Sequence, residues 1–422
     1  MADPNLIKPQ QLCIGLFVQL DLPWMKHPFM SSSFKIRSEE QIASLKHLQL
    51  ESLRIDPTRS DAEPLPLGPS APVVTAPEPS EAEKALWEEK RQRIKVLKER
   101  RVRLNRCANQ YRESLSSVRQ LMDRLFSSPG QAVETANQVV QEMVGELTAD
   151  QEVAIQLVNM KSQDENTYFH VINVAALSLV LGRKLGLKPE QLQVLGLGAL
   201  FHDLGQQMIP PKVLRKKEAL TPAEEQLRRR HTQYGVEMAN KMGSLPPGAV
   251  TVMAQHHEYI DGSGFPLGLK RTDIHILAQI VGLVNRYDNL CNPVNGTRAL
   301  SPYEAVSHLF AREKARFDPR LLQVFIANLG VYPPGTVVTL TDGRLGAVVS
   351  INSSELLKPN VLVYSPDVPR EEALILNLLE EDIAVLGCLR RDQVKPEVLT
   401  YLSLTDQVSY YLERQPGASR RT

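Results

Sequence analysis

Cysteine is scarce in this chain, with four in 422 residues. Cys13, Cys107, Cys291 and Cys388 lie far apart, without the close pairs that hold a structural zinc. They read as reduced, mostly buried thiols of a cytosolic protein rather than as a disulfide framework. Long apolar runs are missing too: none approaches the ~20 residues a membrane helix needs, and the start lacks the basic-then-apolar pattern of a secretion signal. The expected location is the cytoplasm, with no membrane span. Nor is there excess charge. The 49 basic and 48 acidic residues leave +1, so no global field points to DNA, RNA or a membrane surface. With 42% hydrophobic residues, a chain of this length can fill the cores of two or three domains.

Residues 1–56 alternate short apolar runs with turn residues, as in Leu12-Cys-Ile-Gly-Leu-Phe-Val-Gln-Leu20 and Leu53-Arg-Ile-Asp56. This period-two pattern predicts strands in a small α/β or β module. Trp24 and Phe29 are expected to anchor its core. Residues 57–80 are rich in Pro, Ser and Ala, the composition of a flexible linker. Residues 81–129 form a charged helical segment. Its basic runs, Lys90-Arg-Gln-Arg-Ile-Lys95 and Lys98-Glu-Arg-Arg-Val-Arg103, are interleaved with Glu and lack aromatic neighbours, so a solvated helix face explains them better than a nucleic-acid patch. Pairing of this helix in a homodimer is the other reading, though no clear heptad repeat is sustained.

From 130 to 330 the pattern is entirely helical. Thr221-Pro-Ala-Glu224 and Ser301-Pro-Tyr-Glu304 carry the hydroxyl, Pro and Glu of capping boxes, and Asp318-Pro319 opens a helix that Gly330 closes. In 331–412 short β-branched runs at 336–340, 345–351, 361–364 and 373–376, with Asp342-Gly343 as a hairpin signal, predict a small β domain. A disordered tail, 413–422, follows. The expected fold class is mainly α: an all-helical central domain flanked by a small N-terminal α/β or β module and a small C-terminal β domain.

Of nine histidines, seven fall between 170 and 308. His275 and His308 read as ordinary core residues. His170, His202, His231, His256 and His257 differ in their neighbours: Asp203 follows His202, while Glu258 and then Asp261-Gly-Ser-Gly-Phe-Pro266 follow His256-His257. Imidazole and carboxylate hold first-row transition metals while leaving positions open for water, and two such ions can activate water against a phosphodiester. His170 is expected to begin one helix, His202-Asp203 to end a second, His231 to lie within a third and His256-His257 to end a fourth. Those helices can then converge on one pocket, with the loop 258–272 over it.

Taken in order, His170, His202-Asp-Leu-Gly-Gln206 with Ile209-Pro210, His231, His256-His-Glu258 and the glycine-rich loop resemble the HD-GYP branch of the HD-domain metal-dependent phosphohydrolases. The segment 1–56 looks like the small module that precedes some of these domains. The resemblance implies that His170, His202, Asp203 and a later carboxylate hold one ion, and that Asp203, His231, His256 and His257 hold another. Mixed His and carboxylate donors suit iron, manganese, cobalt or nickel better than magnesium. Asp203, His202 and Gln206 then stand in the catalytic centre. Gly262, Gly264, Phe265 and Pro266 would face the substrate, with Lys270 and Arg271 beyond them as candidate phosphate contacts. The substrate implied is the bacterial second messenger cyclic di-GMP, cut to pGpG or on to GMP.

Four positions depart from the family pattern. Phe265 replaces the usual Tyr, keeping the ring and losing the hydroxyl. Gln206 replaces a Lys that would hold phosphate, which removes a charge. The family's last metal-ligating Asp falls on Asn285, and Asp288 lies one turn on at i+3, on the same helix face. Asn166 stands where trinuclear members have Glu, which predicts two metals rather than three. The leading expectation is a metal-dependent phosphodiesterase in a multi-domain signalling protein. The alternative is a catalytically weak member that senses cyclic di-GMP or serves as adaptor for GGDEF-type proteins.

Overall fold

The alternating N-terminal sequence forms strands, in pieces shorter than its apolar runs. β1 (Leu6–Ile7), β2 (Phe17–Gln19), β3 (Ser33–Lys35) and β4 (Leu53–Ile55) make an antiparallel sheet in the order β1-β4-β2-β3. One helix, α1 (Glu39–His47), joins β3 to β4, and the Ser38 hydroxyl accepts from Gln41 N–H at its start. Leu16, Val18, Ile36, Leu45 and Leu53 form the buried centre. Phe29 is buried there, its ring 4.5 Å from that of Phe34. Trp24 lies outside the described residues, which are 5–23, 26–29, 31–67, 81–148, 153–157, 166–294, 298–352, 354–366, 368–370, 373–404 and 408–414 of this computed structural model.

The chain divides into two units, Met1–Val102 with Tyr364–Leu374, and Arg103–Val363 with Ile375–Thr422. In the first, the stretch beyond residue 56 stays tied to the sheet module through Asp61 N–H to Gly15 O and Leu65 N–H to Gln11 O. Of the expected linker, 68–80 lie outside the described residues. The charged segment is one helix, α2 (Glu81–Arg124). Its basic run is not wholly solvated: Lys90 is buried, and its ammonium donates to His27 O at 2.7 Å and Phe29 O at 2.9 Å. Carbonyl oxygens there replace the water that a buried cation has lost.

The second unit is a helical body: α3 (Pro129–Thr148), α4 (Asn166–Lys184), α5 (Pro189–Phe201), α6 (Pro211–Leu214), α7 (Pro222–Arg229), α8 (His231–Met242), α9 (Pro247–Gln255), α10 (Ile276–Cys291), α11 (Pro302–Arg312) and α12 (Pro319–Leu329). Both capping boxes form, with Thr221 and Ser301 each bonded reciprocally to the Glu three residues on. Asp318 caps α12 and Gly330 ends it. Leu177 of α4, Leu195 and Phe201 of α5, Val252 of α9 and Leu283 of α10 meet in one core.

This region is not entirely helical. β5 (Val153–Leu157) pairs antiparallel with β11 (Tyr410–Arg414), some 250 residues away, a long-range pairing that no local pattern announces. β6 (Val337–Leu340), β7 (Leu345–Ser350), β8 (Asn360–Val363), β9 (Ile375–Asn377) and β10 (Val385–Leu389) form an antiparallel sheet in the order β10-β6-β7-β8-β9, and α13 (Pro396–Tyr401) follows. The hairpin between β6 and β7 turns at Gly343, φ +84°. Residues 413 and 414 complete β11, and 415–422 lie outside the described residues. Among the described residues, no helix is long and apolar enough to cross a membrane.

Candidate metal centre

Helix ends place three of the histidines. His202 caps α5 and its Nδ1–H donates to Ala199 O at 2.7 Å; His256 caps α9 and donates to Met253 O at 3.0 Å. His231 follows α7 after a break at Arg230, opening α8 rather than lying within the preceding helix, and donates to Arg228 O at 2.7 Å. Each imidazole takes a carbonyl three residues earlier, one of those that a helix C-terminus leaves without an internal partner. This settles the tautomer, because a carbonyl can only accept. Nδ1 carries the proton, and the Nε2 lone pair is free to bind a cation.

His170, in the second turn of α4, reaches the same state by another route. Its Nδ1 donates to Asp288 Oδ2 of α10 at 2.6 Å, with only 1% of the Asp288 side chain exposed. Burial works to lower the His170 pKa, but the hydrogen bond and charge of Asp288, helped by Asp203, outweigh it and raise the value. Asp288 therefore stands behind His170 as the group that orients it. A histidine that binds a metal usually hands its other N–H to such a carboxylate.

Asp203 joins the two sets of rings. Its Oδ2 lies 3.4 Å from His202 Nε2 and 3.7 Å from His170 Nε2. Its Oδ1 lies 3.3 Å from His231 Nε2 and 3.6 Å from His256 Nε2. Donor atoms roughly 2.1 Å from one ion sit about 3.0–3.4 Å apart at octahedral to tetrahedral angles; the His202 and His231 spacings fall in that range, and those of His170 and His256 lie 0.2–0.3 Å beyond it. The donors form two groups, one of His170, His202 and Asp203, the other of Asp203, His231, His256 and His257. His170 Nε2, His202 Nε2 and Asp203 Oδ1 are buried without a hydrogen-bond partner. Orphaned polar atoms at such depth carry a desolvation penalty that a bound cation would remove. Burial alone would raise the Asp203 pKa, yet His202, His231 and His256 drive it well below the usual carboxylate range. Burial holds His256 down to about 4, only partly offset by Asp203. Asp203 is thus held as the carboxylate, while burial keeps His256 and His257 neutral beside it.

A cavity of about 430 Å³ opens over this cluster, lined by His170, Asp203, Gln206, His257, Phe265 and Asn285, among others. Asn285 is buried in α10, and its Oδ1 accepts from Asn289 Nδ2 at 2.5 Å. The side chain of Asn166 lies outside the described ones. Phe265 stacks on His257, ring centroids 4.4 Å apart. The glycine-rich loop is held from below: buried Glu258 accepts the N–H of Leu267 at 2.6 Å and of Leu269 at 2.8 Å. Gly264 has no alternative there, since a Cβ would lie 2.4 Å from Tyr259 N and 2.5 Å from His257 O. Gly262 and Pro266 shape the loop and do not line the cavity. Lys270 and Arg271, expected at the phosphate, do not line it either. Lys270 packs beside Gly262, and the 59%-exposed Arg271 pairs with Asp318 at 3.4 Å. The arginines that do line the cavity are Arg215, Arg228 and Arg286. Their sequence neighbourhoods carried no motif that singled them out.

Gly205 sets the angle at which the Asp203 turn meets α8. A Cβ there would lie 1.9 Å from His231 O and 2.4 Å from Gly235 N, both backbone atoms that cannot rotate aside. Gly205→Ala is expected to cost at least the roughly 1–3 kcal/mol of overpacking and to part Asp203 from His231. Thermal unfolding paired with metal analysis checks this: a stable variant with full metal content would contradict it.

Comparison with known proteins bears on both parts of the chain. Residues 6–136 match a domain of unknown function (DUF3391), and residues 122–321 match the HD domain. A cyclic di-GMP phosphodiesterase of Pseudomonas aeruginosa is 31% identical over 362 residues, covering 84% of this chain and 83% of that protein. The cyclic di-GMP phosphodiesterase PdeB of Borreliella burgdorferi is 28% identical over 44% of this chain and 48% of its own length. A 3'3'-cGAMP-specific phosphodiesterase of Vibrio cholerae is 27% identical over 44% of this chain and 36% of its own.

Proposed function

The chain belongs to the HD-GYP family of HD-domain proteins, and from that premise we propose that it hydrolyses cyclic di-GMP at the His/Asp cluster. One observation carries this reading. A single carboxylate turns its two oxygens to two separate sets of imidazole Nε2 atoms, at 3.3–3.7 Å, beneath an open cavity. We assign His170, His202 and Asp203 to one divalent transition metal and Asp203, His231, His256 and His257 to a second, with iron, manganese, cobalt or nickel as the ions. When bound, such a pair supplies Lewis-acid activation of water and of the phosphate. The chain's own part is to hold the donors. Helix-end carbonyls and Asp288 fix the four Nδ1–H groups, Phe265 braces His257, and Glu258 with Gly264 keeps the loop beside the cavity.

Sensing or adaptor function is the second reading, favoured by Gln206 and Asn285, neutral residues at two positions facing the cavity. Metal analysis of anaerobically purified protein, paired with product analysis on cyclic di-GMP, separates the two. Hydrolysis predicts bound iron or manganese and release of pGpG or GMP. Tight binding without product favours the sensor. Turnover of 3'3'-cGAMP in place of cyclic di-GMP would overturn the substrate assignment while leaving the reaction type.

A further inference from the structure

Two cavities open beside the His/Asp cluster, and three residues line both. One is the cavity described above. The second, about 390 Å³, is walled by Met122, Tyr168, Val171 and Leu200. Asp203, Gln206 and Arg215 are common to the two. These three residues, one carrying a donor of the metal centre, one a neutral amide and one a guanidinium, stand at the boundary between the two cavities and form a waist with a recess to either side.

We propose that the substrate is a dinucleotide straddling this waist, one base in each recess, and that Arg215 holds the phosphate that is not being cut. The inference rests on the cyclic di-GMP reading above and deepens it. A dianionic substrate needs a cation that is not already neutralised. Arg228 is engaged with Glu225 through two contacts of 2.9 Å, and Arg286 with Glu313 at 2.9 and 2.6 Å. Arg215 has no carboxylate partner among the described residues, and its backbone is fixed at the end of α6 by its N–H to Pro211 O. Its planar fork suits two phosphate oxygens at once. Gln206, beside it, offers an amide without charge. The second recess also contains Asp123, whose carboxylate repels phosphate and accepts hydrogen bonds. That keeps the phosphate at the waist and suits a base edge that donates, as guanine's exocyclic amine does. Tyr168 supplies a ring against which such a base can stack.

Steady-state kinetics on the manganese-loaded full chain, with calorimetric binding of cyclic di-GMP, test the assignment. Arg215→Ala is expected to raise KM and weaken binding about tenfold, the scale of one charge-assisted contact, with kcat changed less than about twofold. Arg215→Lys should retain part of the affinity. Gln206→Lys placed in the Arg215→Ala background should recover most of the loss, because it returns a cation to the same waist; a folding defect at position 215 would not respond to it. Unchanged affinity in Arg215→Ala, a fall in kcat alone, or a loss that Gln206→Lys does not relieve would each overturn the proposal. These outcomes require a wild-type chain that binds and turns over cyclic di-GMP. A wild type that does neither removes the substrate reading, and this inference with it.

Discussion

Asp203→Asn is expected to lower phosphodiester hydrolysis by roughly 1000-fold or more, since several kcal/mol of transition-state charge stabilisation is lost with the metal centre. Asp203 is the only carboxylate in either donor group. Its oxygens are divided, Oδ2 toward His170 and His202, Oδ1 toward His231 and His256. An amide of the same shape has one oxygen. Whichever way it turns, an NH₂ group with no lone pair to offer faces one set of imidazoles, and that set loses its anion. Collapse of the fold is not expected to accompany the loss. Burial alone opposes the Asp203 charge, but the surrounding histidines hold its pKa well down, so the amide, which keeps the volume, forfeits only the part of the stability that this charge contributes at neutral pH. The expected signature at neutral pH is a variant with a wild-type circular dichroism spectrum, a thermal midpoint below that of the metal-free wild type, and less than half the metal. Normal turnover with full metal content would remove Asp203 from the centre.

The fold and this cluster were legible in the sequence to different depths, for physical reasons. Capping boxes at Thr221 and Ser301 and the Asp342-Gly343 hairpin are local: the residues that make the bonds are the ones that give the signal. The five histidines were legible because the resemblance fixed their order, and helix ends then place three of them. The pairing of β5 with β11 was not legible, because its partners are separated by most of the chain. Nor was the engagement of Arg271 with Asp318, which draws that cation away from the cavity and leaves Arg215 facing it. Burial of Lys90 inverts a sound expectation about a charged helix, because carbonyls from residues 27 and 29 replace its water. Asn173 did leave a trace. It is a lone amide in an apolar helical run, three residues after His170 and hence on the same face, and it is buried.

That trace leads to the second large effect, at Asp288. Its Oδ2 takes the Nδ1–H of His170, while its Oδ1 takes amide N–H groups from Asn173 at 2.9 Å and Asn292 at 3.0 Å. The same two asparagines bond Val408, just before β11, so the orienting carboxylate is itself held by the C-terminal segment. A carboxylate can accept from all three donors; an amide cannot. In Asp288→Asn the NH₂ must face either the paired asparagines or His170. If it faces His170, the imidazole is driven to carry its proton on Nε2, the atom that would bind metal. Loss of a ligand-orienting partner typically lowers metal affinity or activity 10- to 100-fold, and that is the expected range here, with a shift of the His170 tautomer visible in ¹⁵N NMR of the metal-free protein. Asn285→Asp should act in the opposite direction, because it adds an anion to a cavity-lining position of the same helix and raises metal occupancy and rate together. If Asp288→Asn leaves both affinity and tautomer unchanged, His170 does not depend on α10. If Asn285→Asp also changes nothing, α10 takes no part in the centre, and the ligands are those of Asp203 and the five histidines alone.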